Sequence, residues 1–301
     1  MKKKQLNLTS GPILRTLSEL ALPIMASSFL STAYNITDMA WIGMLGSKAV
    51  AGVGVGGMYV WLSQGLSSLA RMGGQVNMAH SLGRGDQKTA AGFAQAALQL
   101  TILFSLLVTL ISMLFTNPLL QFFALNDAET YNSARIYMRI TCGLILFSFL
   151  SQVLTGLFTA QGDSKTPLKA NFFGLVLNMI LDPLLVLGVG PFPRLEVVGA
   201  AVATVTAQII VLLILITGII RDHGESNVLR NIRLLSRPDF TYVKGVFHIG
   251  IPTALQGSIY CIISMILTRM VSGFGAGAIA VQRVGGQIES LSWNTADGFG
   301  S

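Results

Sequence analysis

Two aspartates stand inside long apolar stretches of the chain, where packing alone does not call for a charge. Asp38 lies in YNITDMAWIG (34–43), and Asp182 lies in NMILDPLLVLG (178–188), directly before Pro183. A carboxylate at the centre of a membrane helix costs about 2.5–3.5 kcal/mol on insertion scales, and such groups normally face a cavity or a polar partner. We therefore expect both side chains to point into the interior of a helical bundle.

Each aspartate ends a stripe of polar and small residues at helical spacing. The stripe on the later helix recurs at i, i+3, i+7 and i+11, and a third helix adds two polar residues one turn apart. Together these stripes would place a carboxylate and a carboxamide at similar depth on two helices. The later stripe is Asn171, Gly174, Asn178 and Asp182; the earlier one is Ser27, Ser31, Asn35 (or Tyr34) and Asp38; the third helix supplies Thr204 and Gln208.

An oxygen-rich set of this kind suits two tasks. It can ligate a hard cation such as Na⁺, which prefers carboxylate, carbonyl and hydroxyl oxygens. It can also hold a proton, because burial and a neighbouring like charge both favour the protonated carboxyl group. Pro183 would free the carbonyl of Met179 for a cation or a water, or it is a passive kink. The alternative is that Asp38 and Asp182 only hydrogen-bond neighbouring helices.

The remaining chemistry-bearing residues are few. Glu289 and Gln282, seven residues apart near the end of the chain, are candidates for a second proton or substrate site, or they form a plain polar contact. Cys142 and Cys261 lie far apart in apolar stretches. They lack metal-ligand spacing, so we expect packing roles for both.

The composition identifies the elements that must position these residues. The 301 residues are 52% apolar and 11% charged, with a mean hydropathy of +0.64, whereas a soluble chain carries about 25% charged residues. The long continuous apolar runs favour helices over a barrel, whose strands alternate. This predicts an all-α polytopic membrane protein. The predicted spans are residues 17–43, 49–79, 90–116, 131–160, 167–189, 197–221, 245–271 and 276 to the end.

The basic residues predict the orientation of the chain. With the N-terminus inside, fourteen of the 20 Lys and Arg residues fall on the inner side and six on the outer side. The positive-inside rule then places the N-terminus in the cytoplasm and the chain in the cytoplasmic (inner) membrane. The net charge of +7 therefore reflects topology, and we expect no nucleic-acid partner.

An internal repeat predicts the domain organisation. Residues 20–57 resemble residues 248–286, with Pro23 aligned to Pro252 and Gly46 to Gly275. Six helices precede the second copy, so both copies enter the membrane in the same orientation, as in parallel-repeat transporters. The predicted units are a six-helix N-lobe (1–221), a cytoplasmic amphipathic linker (222–244) and the first two helices of a C-lobe (245–301). Doubling the repeat predicts a parent protein of about 450 residues; the alternative is a natural eight-helix protein.

At this point the sequence resembles the multidrug and toxic compound extrusion (MATE) transporters. The resemblance rests on LALP…D…IG.LG (20–46), TGLFTAQGDSKTP (155–167), N…LDP (178–183), GAAVATVTAQ (199–208) and HIGIPTALQ (248–256). It implies two six-helix lobes and the export of mostly cationic, amphipathic compounds in exchange for protons or sodium. By this resemblance, the cation site of the first lobe comprises Asp38, Asn178, Asp182 and Thr204, and sodium coupling would use Asp38, Asn178 and Asp182 as ligands.

The expected function is thus a cation-coupled (H⁺ or Na⁺) antiporter for drugs and toxic compounds, acting as a monomer in a lipid bilayer without a further cofactor and without being an enzyme. Two alternatives differ in class. A lipid-linked saccharide flippase of the same superfamily would need basic residues in its cavity, and the spans hold few. An intramembrane aspartyl protease would use the Asp38–Asp182 pair as its dyad, but neither acid lies in a GxGD motif.

Overall fold

A computed structural model of the chain describes residues 35–189, 193–221, 228–232, 234 and 236–300, with only the backbone described at 291 and 293–300. The described residues form helices joined by short turns and loops. The helices are α1 (residues 35–43), α2 (Ser47–Gly83), α3 (Gln87–Leu114), α4 (Thr116–Gln121), α5 (Ala128–Gly143), α6 (Ile145–Ala160), α7 (Lys165–Val186), α8 (Glu196–Arg221), α9 (Phe240–Ser272) and α10 (Ala276–Gly300), with a short 3-10 helix at Val228–Asn231.

The central element is α2, which packs against α3, α5, α6, α9 and α10. It runs antiparallel to α9, and glycines bring the two backbones together. A Cβ atom on Gly73 would lie 2.2 Å from the backbone oxygen of Val246, and one on Gly250 would lie 2.2 Å from that of Leu69. Small residues at a helix interface allow this approach in a membrane, where close packing replaces the hydrophobic effect between helices.

The predicted span 131–160 is broken into α5 and α6, which meet at a bend of 51°. The break falls at Gly143 and Leu144. The hydroxyl group of Thr109 on α3 donates to the carbonyl oxygen of Cys142 at 3.0 Å. This bond satisfies a backbone group next to the break, as non-helical backbone at membrane depth requires.

The apolar composition of the helices supports a multi-pass membrane protein. Four helices of the described chain are long and apolar enough to span a bilayer, namely α3, α7, α8 and α9, and the bent α5–α6 pair forms a fifth candidate. The predicted all-α membrane fold is confirmed. α2 is the longest described helix, and most of its buried residues have small or polar side chains.

The helix bounds agree with the predicted spans from 49 onward, within a few residues at most ends. Residues 17–34 of the first predicted span lie outside the described residues, and so do Ser27, Ser31 and Tyr34. The linker prediction 222–244 also falls partly outside them. In its described part, α9 already begins at Phe240, where the Asp239 side chain caps it by accepting from the Thr241 backbone at 2.9 Å. The division into lobes and linker stays a prediction.

Candidate functional site

The buried stripe of α7 carries two of the predicted site residues. Its buried positions are spaced mainly by four residues, and Asn178 and Asp182 are 1% and 0% exposed. The prediction that Asn171 belongs to this stripe is wrong, because Asn171 is exposed and Ala170 takes the interior position. A repeat of four residues turns the stripe slightly about the helix axis, which moves position 171 out of the interface. The lipid side of α7 carries Phe172, Phe173 and Ile180, all exposed.

The two aspartates predicted from separate stripes meet in the structure. The carboxyl groups of Asp38 on α1 and Asp182 on α7 are close electrostatic neighbours. Two carboxylates lack any hydrogen-bond donor, so a hydrogen bond can form between them only when one of them carries a proton. Without a proton or a bound cation, the two groups repel one another in a poorly solvated interior.

The polar atoms around this pair are open to a ligand. Both carboxyl oxygens of Asp182, the Oδ1 atom of Asp38 and both amide atoms of Asn178 are buried, and none has a hydrogen-bond partner in the part of the chain that the structure describes. Buried polar atoms are normally satisfied. Carboxylate and amide oxygens are the ligands that a hard cation prefers, so these residues fit a proton or Na⁺.

The site lies where α1, α5, α7 and α8 come together. Thr204 on α8 donates its hydroxyl to the Ala200 carbonyl oxygen at 3.0 Å, so its own oxygen keeps an acceptor position free. Its side chain also contacts Tyr137 of α5. Asn35 lies one turn before Asp38 on α1 and is half-buried. This places three of the four residues of the predicted cation set around one centre with Thr204 at its edge.

The remaining predicted residues differ in their environment. The Gln208 carbonyl oxygen accepts from Ser151 of α6 at 3.3 Å, and its side chain is half-buried on α8. Gln282 accepts from Thr268 of α9 at 3.2 Å. Glu289 lies two turns further along α10 on an exposed position. The structure therefore uses Gln282 as a contact between α9 and α10 and does not bring Glu289 to the aspartate pair.

The helix continues through Pro183 up to Val186. Proline has no N–H group, so the Met179 carbonyl oxygen loses its regular helical donor one turn before the proline. Asp182 directly precedes this position and stays buried. Pro183 thus does not end the helix. It leaves the Met179 carbonyl oxygen, which lies one turn from the proline, without its helical hydrogen-bond donor.

Two further residues belong to the site, and the sequence analysis did not find them. Tyr137 on α5 has the aspartate pair among its charged neighbours, and Arg283 on α10 is another. Arg283 is one of the six basic residues that the positive-inside count places on the outer side. Its position could have identified it, because Arg283 lies seven residues inside a predicted span and aligns with the glycine-rich part of the first copy of the internal repeat. Tyr137 gives no such signal, because a tyrosine in an amphipathic helix is common.

Comparisons with known proteins bear on this arrangement. A family model described as MatE matches residues 23–184, just over half of the chain. The chain is 29% identical over 288 residues to the probable multidrug resistance protein NorM of Thermotoga maritima, covering 95% of this chain and 61% of that protein. It is 26% identical over 295 residues to the FAD transporter of Shewanella oneidensis, covering 96% of this chain and 63% of that protein.

The fold is also similar to solved structures. A crystal structure of MATE in complex with MaD3S has a TM-score of 0.81 to this structure at 22% identity, covering 99% of this chain and 66% of that one. The chain spans less than two thirds of the length of the two curated relatives above. The likeness therefore covers the helices of the site and leaves the rest of each relative without a counterpart in this chain.

Proposed function

The chain belongs to the MatE family, and on that premise we propose that the protein is a cation-coupled antiporter that exports amphipathic, mostly cationic compounds across the cytoplasmic membrane. The curated relatives are transporters, which favours transport over catalysis. The observation that carries the proposal is the Asp38–Asp182 pair: both carboxyl oxygens of Asp182 and the Oδ1 atom of Asp38 are buried and lack hydrogen-bond partners among the described residues.

The pair can couple two movements because a proton or Na⁺ and the amine of an organic cation would bind to the same carboxylate oxygens. One proton, one Na⁺ or one amine removes one of the two negative charges of the pair. Each occupant therefore excludes the other, which is the requirement for exchange. One charge moving inward across 100 mV releases about 2.3 kcal/mol, enough for a gradient of about 50-fold of a substrate without net charge. A singly charged organic cation carries the same charge outward, so its one-for-one exchange is driven by the concentration gradient of the coupling ion.

The proposal includes an orientation in the membrane, which rests on the distribution of the basic residues. The N-terminus lies in the cytoplasm, and the turns between α2 and α3 and between α6 and α7 lie on the inner side. The protein acts as a monomer, with small organic molecules and the bilayer as its partners and H⁺ or Na⁺ as its coupling ion. The family also includes a FAD transporter, so the interior side chains of this chain decide which compounds it accepts.

The test is dye export from vesicles with proton and sodium gradients imposed separately. We expect Asp182→Asn to abolish gradient-driven export while the protein keeps its melting temperature and elution profile. Asp239→Asn is the matched control, because it removes one carboxylate at an exposed helix start where Asn also caps well. Unchanged export by Asp182→Asn would overturn the proposal, and the gradient that drives export identifies the ion.

A further inference from the structure

Two arginines lie in the middle of α5, away from the aspartate pair. Arg135 and Arg139 are four residues apart, so their side chains leave the same face of the helix. Both are half-buried, and both belong to the six basic residues that the positive-inside count places on the outer side. Two like charges at this spacing repel one another, and neither residue takes part in the proposed exchange.

This face of α5 packs against α3 and α4. The Nε atom of Arg139 donates to the hydroxyl oxygen of Thr116 at 3.4 Å. Tyr131, one turn before Arg135 on the same face, donates its hydroxyl to the side-chain oxygen of Asn117 at 3.3 Å. The arginines therefore lie at the edge formed by α3, α4 and α5, and the structure describes these three helices over their whole length.

The contact with Thr116 indicates the depth of the two arginines in the membrane. Thr116 is the first residue of α4 and follows closely on the end of α3 at Leu114. Because α3 is long and apolar enough to span a bilayer, its last residues lie where the hydrocarbon meets the headgroups. Helix side chains lean toward the N-terminus of their helix, and α5 starts at this same end. Both guanidinium groups therefore extend toward the layer of lipid phosphates.

Beside the arginines, α3 has a stripe of apolar side chains on its surface. The exposed residues recur at steps of three and four: Leu103, Leu106, Leu110 and Met113. The stripe borders α5, because a Cβ atom on Gly143 would overlap the Cε atom of Met113. A charged pair at the headgroup level and an apolar strip along the hydrocarbon are the two surfaces that a phospholipid contacts.

We propose that this edge binds an anionic phospholipid, whose phosphate lies between Arg135 and Arg139 and whose acyl chains lie along the exposed stripe of α3. A guanidinium group binds a phosphate through paired hydrogen bonds, and one anion between the two arginines relieves their repulsion. Phosphatidylglycerol supplies this charge, whereas the ammonium group of phosphatidylcholine opposes it. The site depends on neither the coupling ion nor the exported compound, and under the proposed orientation it lies in the outer leaflet.

Lipid titration of the full-length protein in detergent tests the site. The probes are phosphatidylglycerol and phosphatidylcholine with the same acyl chains, and native mass spectrometry counts the lipid bound. We expect the wild type to bind phosphatidylglycerol more tightly than phosphatidylcholine. Arg135→Gln and Arg139→Gln should each weaken phosphatidylglycerol binding about fivefold, and the double variant about 25-fold, as expected for one and two lost arginines near a membrane surface.

Matched variants separate the site from the net charge of this end of the bundle. Arg194→Gln removes an arginine between α7 and α8 at the same end, where it is exposed and pairs with Glu196 at 3.4 Å. Phosphatidylglycerol binding by this variant should stay within about twofold of the wild type, because an exposed pair contributes little. Arg135→Lys keeps the charge without the planar fork, so its affinity should lie between those of the wild type and Arg135→Gln.

A headgroup without acyl chains distinguishes a lipid from a free phosphate. Glycerol 1-phosphate at the concentration of the lipid should not displace phosphatidylglycerol, because it lacks the chains that contact α3. Displacement at that concentration would mean a site for free phosphate and would overturn the lipid.

Equal affinities for the two lipids, or wild-type binding by the double variant, would also overturn the proposal. If Arg139→Gln does not fold once its contact with Thr116 is lost, Arg135→Gln decides alone. The Nε atom of Arg135 has no hydrogen-bond acceptor in the described chain, so its removal breaks no such bond. Unchanged phosphatidylglycerol binding by Arg135→Gln would then remove the site.

Discussion

At the scale of single residues, the site is defined by polar atoms that the protein leaves without partners. Asn178 has both amide atoms buried and unbonded among the described residues, one turn from Asp182. An unsatisfied buried polar group costs about 1–3 kcal/mol. Such a cost is expected where an ion or a substrate supplies the missing bonds, so function and stability oppose each other at this position.

This opposition gives a prediction for Asn178→Leu. The substitution conserves volume and removes the unsatisfied amide, so we expect a higher melting temperature in detergent together with the loss of gradient-driven export. Thermal unfolding and vesicle transport measure the two effects on the same preparation. Asn171→Leu on the exposed side of α7 is the control and should change neither strongly. A lower melting temperature for Asn178→Leu would mean that the amide has a structural role.

A second prediction concerns Asp127, at the start of α5 outside the apolar spans. The Thr130 backbone N–H donates to its carboxylate at 2.9 Å, and Lys48 lies 3.1 Å away. These contacts hold the pKa of Asp127 below its usual value. A carboxyl group with a lowered pKa stabilises the fold above its unfolded pKa, about 3.9, and loses that contribution as the pH falls through the folded value.

We therefore expect Asp127→Asn to lower the melting temperature at pH 7, because Asn still caps the helix but no longer attracts Lys48. The difference from the wild type should shrink as the pH falls below about 4. Melting curves between about pH 2.5 and about pH 7 measure it, with the neighbouring Asn126→Ala as a charge-neutral control. A difference that is constant over this range would contradict the assignment.

At the scale of elements, glycines set the packing between α2 and α9. Three glycines of these helices approach the other helix so closely that a Cβ atom would overlap it, whereas Gly257 of α9 has open space around it. The three are Gly65, Gly73 and Gly250. The glycines of α9 that lie close to α2 and those that have open space around them mark which face of α9 packs against the first predicted lobe.

The matched pair Gly250→Ala and Gly257→Ala tests this packing. Both changes favour the helix by about 1 kcal/mol through propensity. At Gly250 the new Cβ atom meets the Leu69 backbone oxygen at 2.2 Å, and backbone cannot move aside easily, so overpacking of about 1–3 kcal/mol should dominate. We expect a lower melting temperature for Gly250→Ala and an equal or higher one for Gly257→Ala. Equal melting temperatures would rule out this close approach.

At the scale of the whole molecule, the two ends of the bundle are held together by different kinds of contact. One end joins α2 to α5 through the ion pairs of Lys48 with Asp127 and Glu129. At the other end the glutamines Gln95 and Gln99 of α3 donate to Ser236 and to the backbone after the 3-10 helix. If the basic residues set the orientation, this second end is cytoplasmic.

Single-cysteine labelling tests the orientation. Cys142 and Cys261 are buried and should react slowly with a membrane-impermeant maleimide. We expect Asn126→Cys to be labelled in intact cells and Gln87→Cys only after the membrane is opened, since both positions are exposed at opposite ends of the bundle. The reversed pattern would invert the topology.

The sequence predicted the helical membrane fold because hydropathy is a local property of each segment. It also found Asp38, Asn178 and Asp182, because a carboxylate in an apolar helix stands out without reference to any neighbour. The register of α7 was less well predicted. A stripe spaced by four residues and one that includes a step of three differ by a small rotation, which only packing against α8 decides, and Asn171 was misplaced for that reason.

The amino-acid sequence was enough to predict that this protein spans a membrane and that two acids lie inside its helices. The folded arrangement was needed to show that the two acids are electrostatic neighbours, that Tyr137 lies near them, and that Arg283 extends from α10 into the space over Gly54 and Gly57. These are contacts between residues far apart in the chain. Helical periodicity gives each residue a direction about its own axis, but the distance between two side chains depends on how the helices are arranged, and that arrangement is set by the packing of the whole bundle.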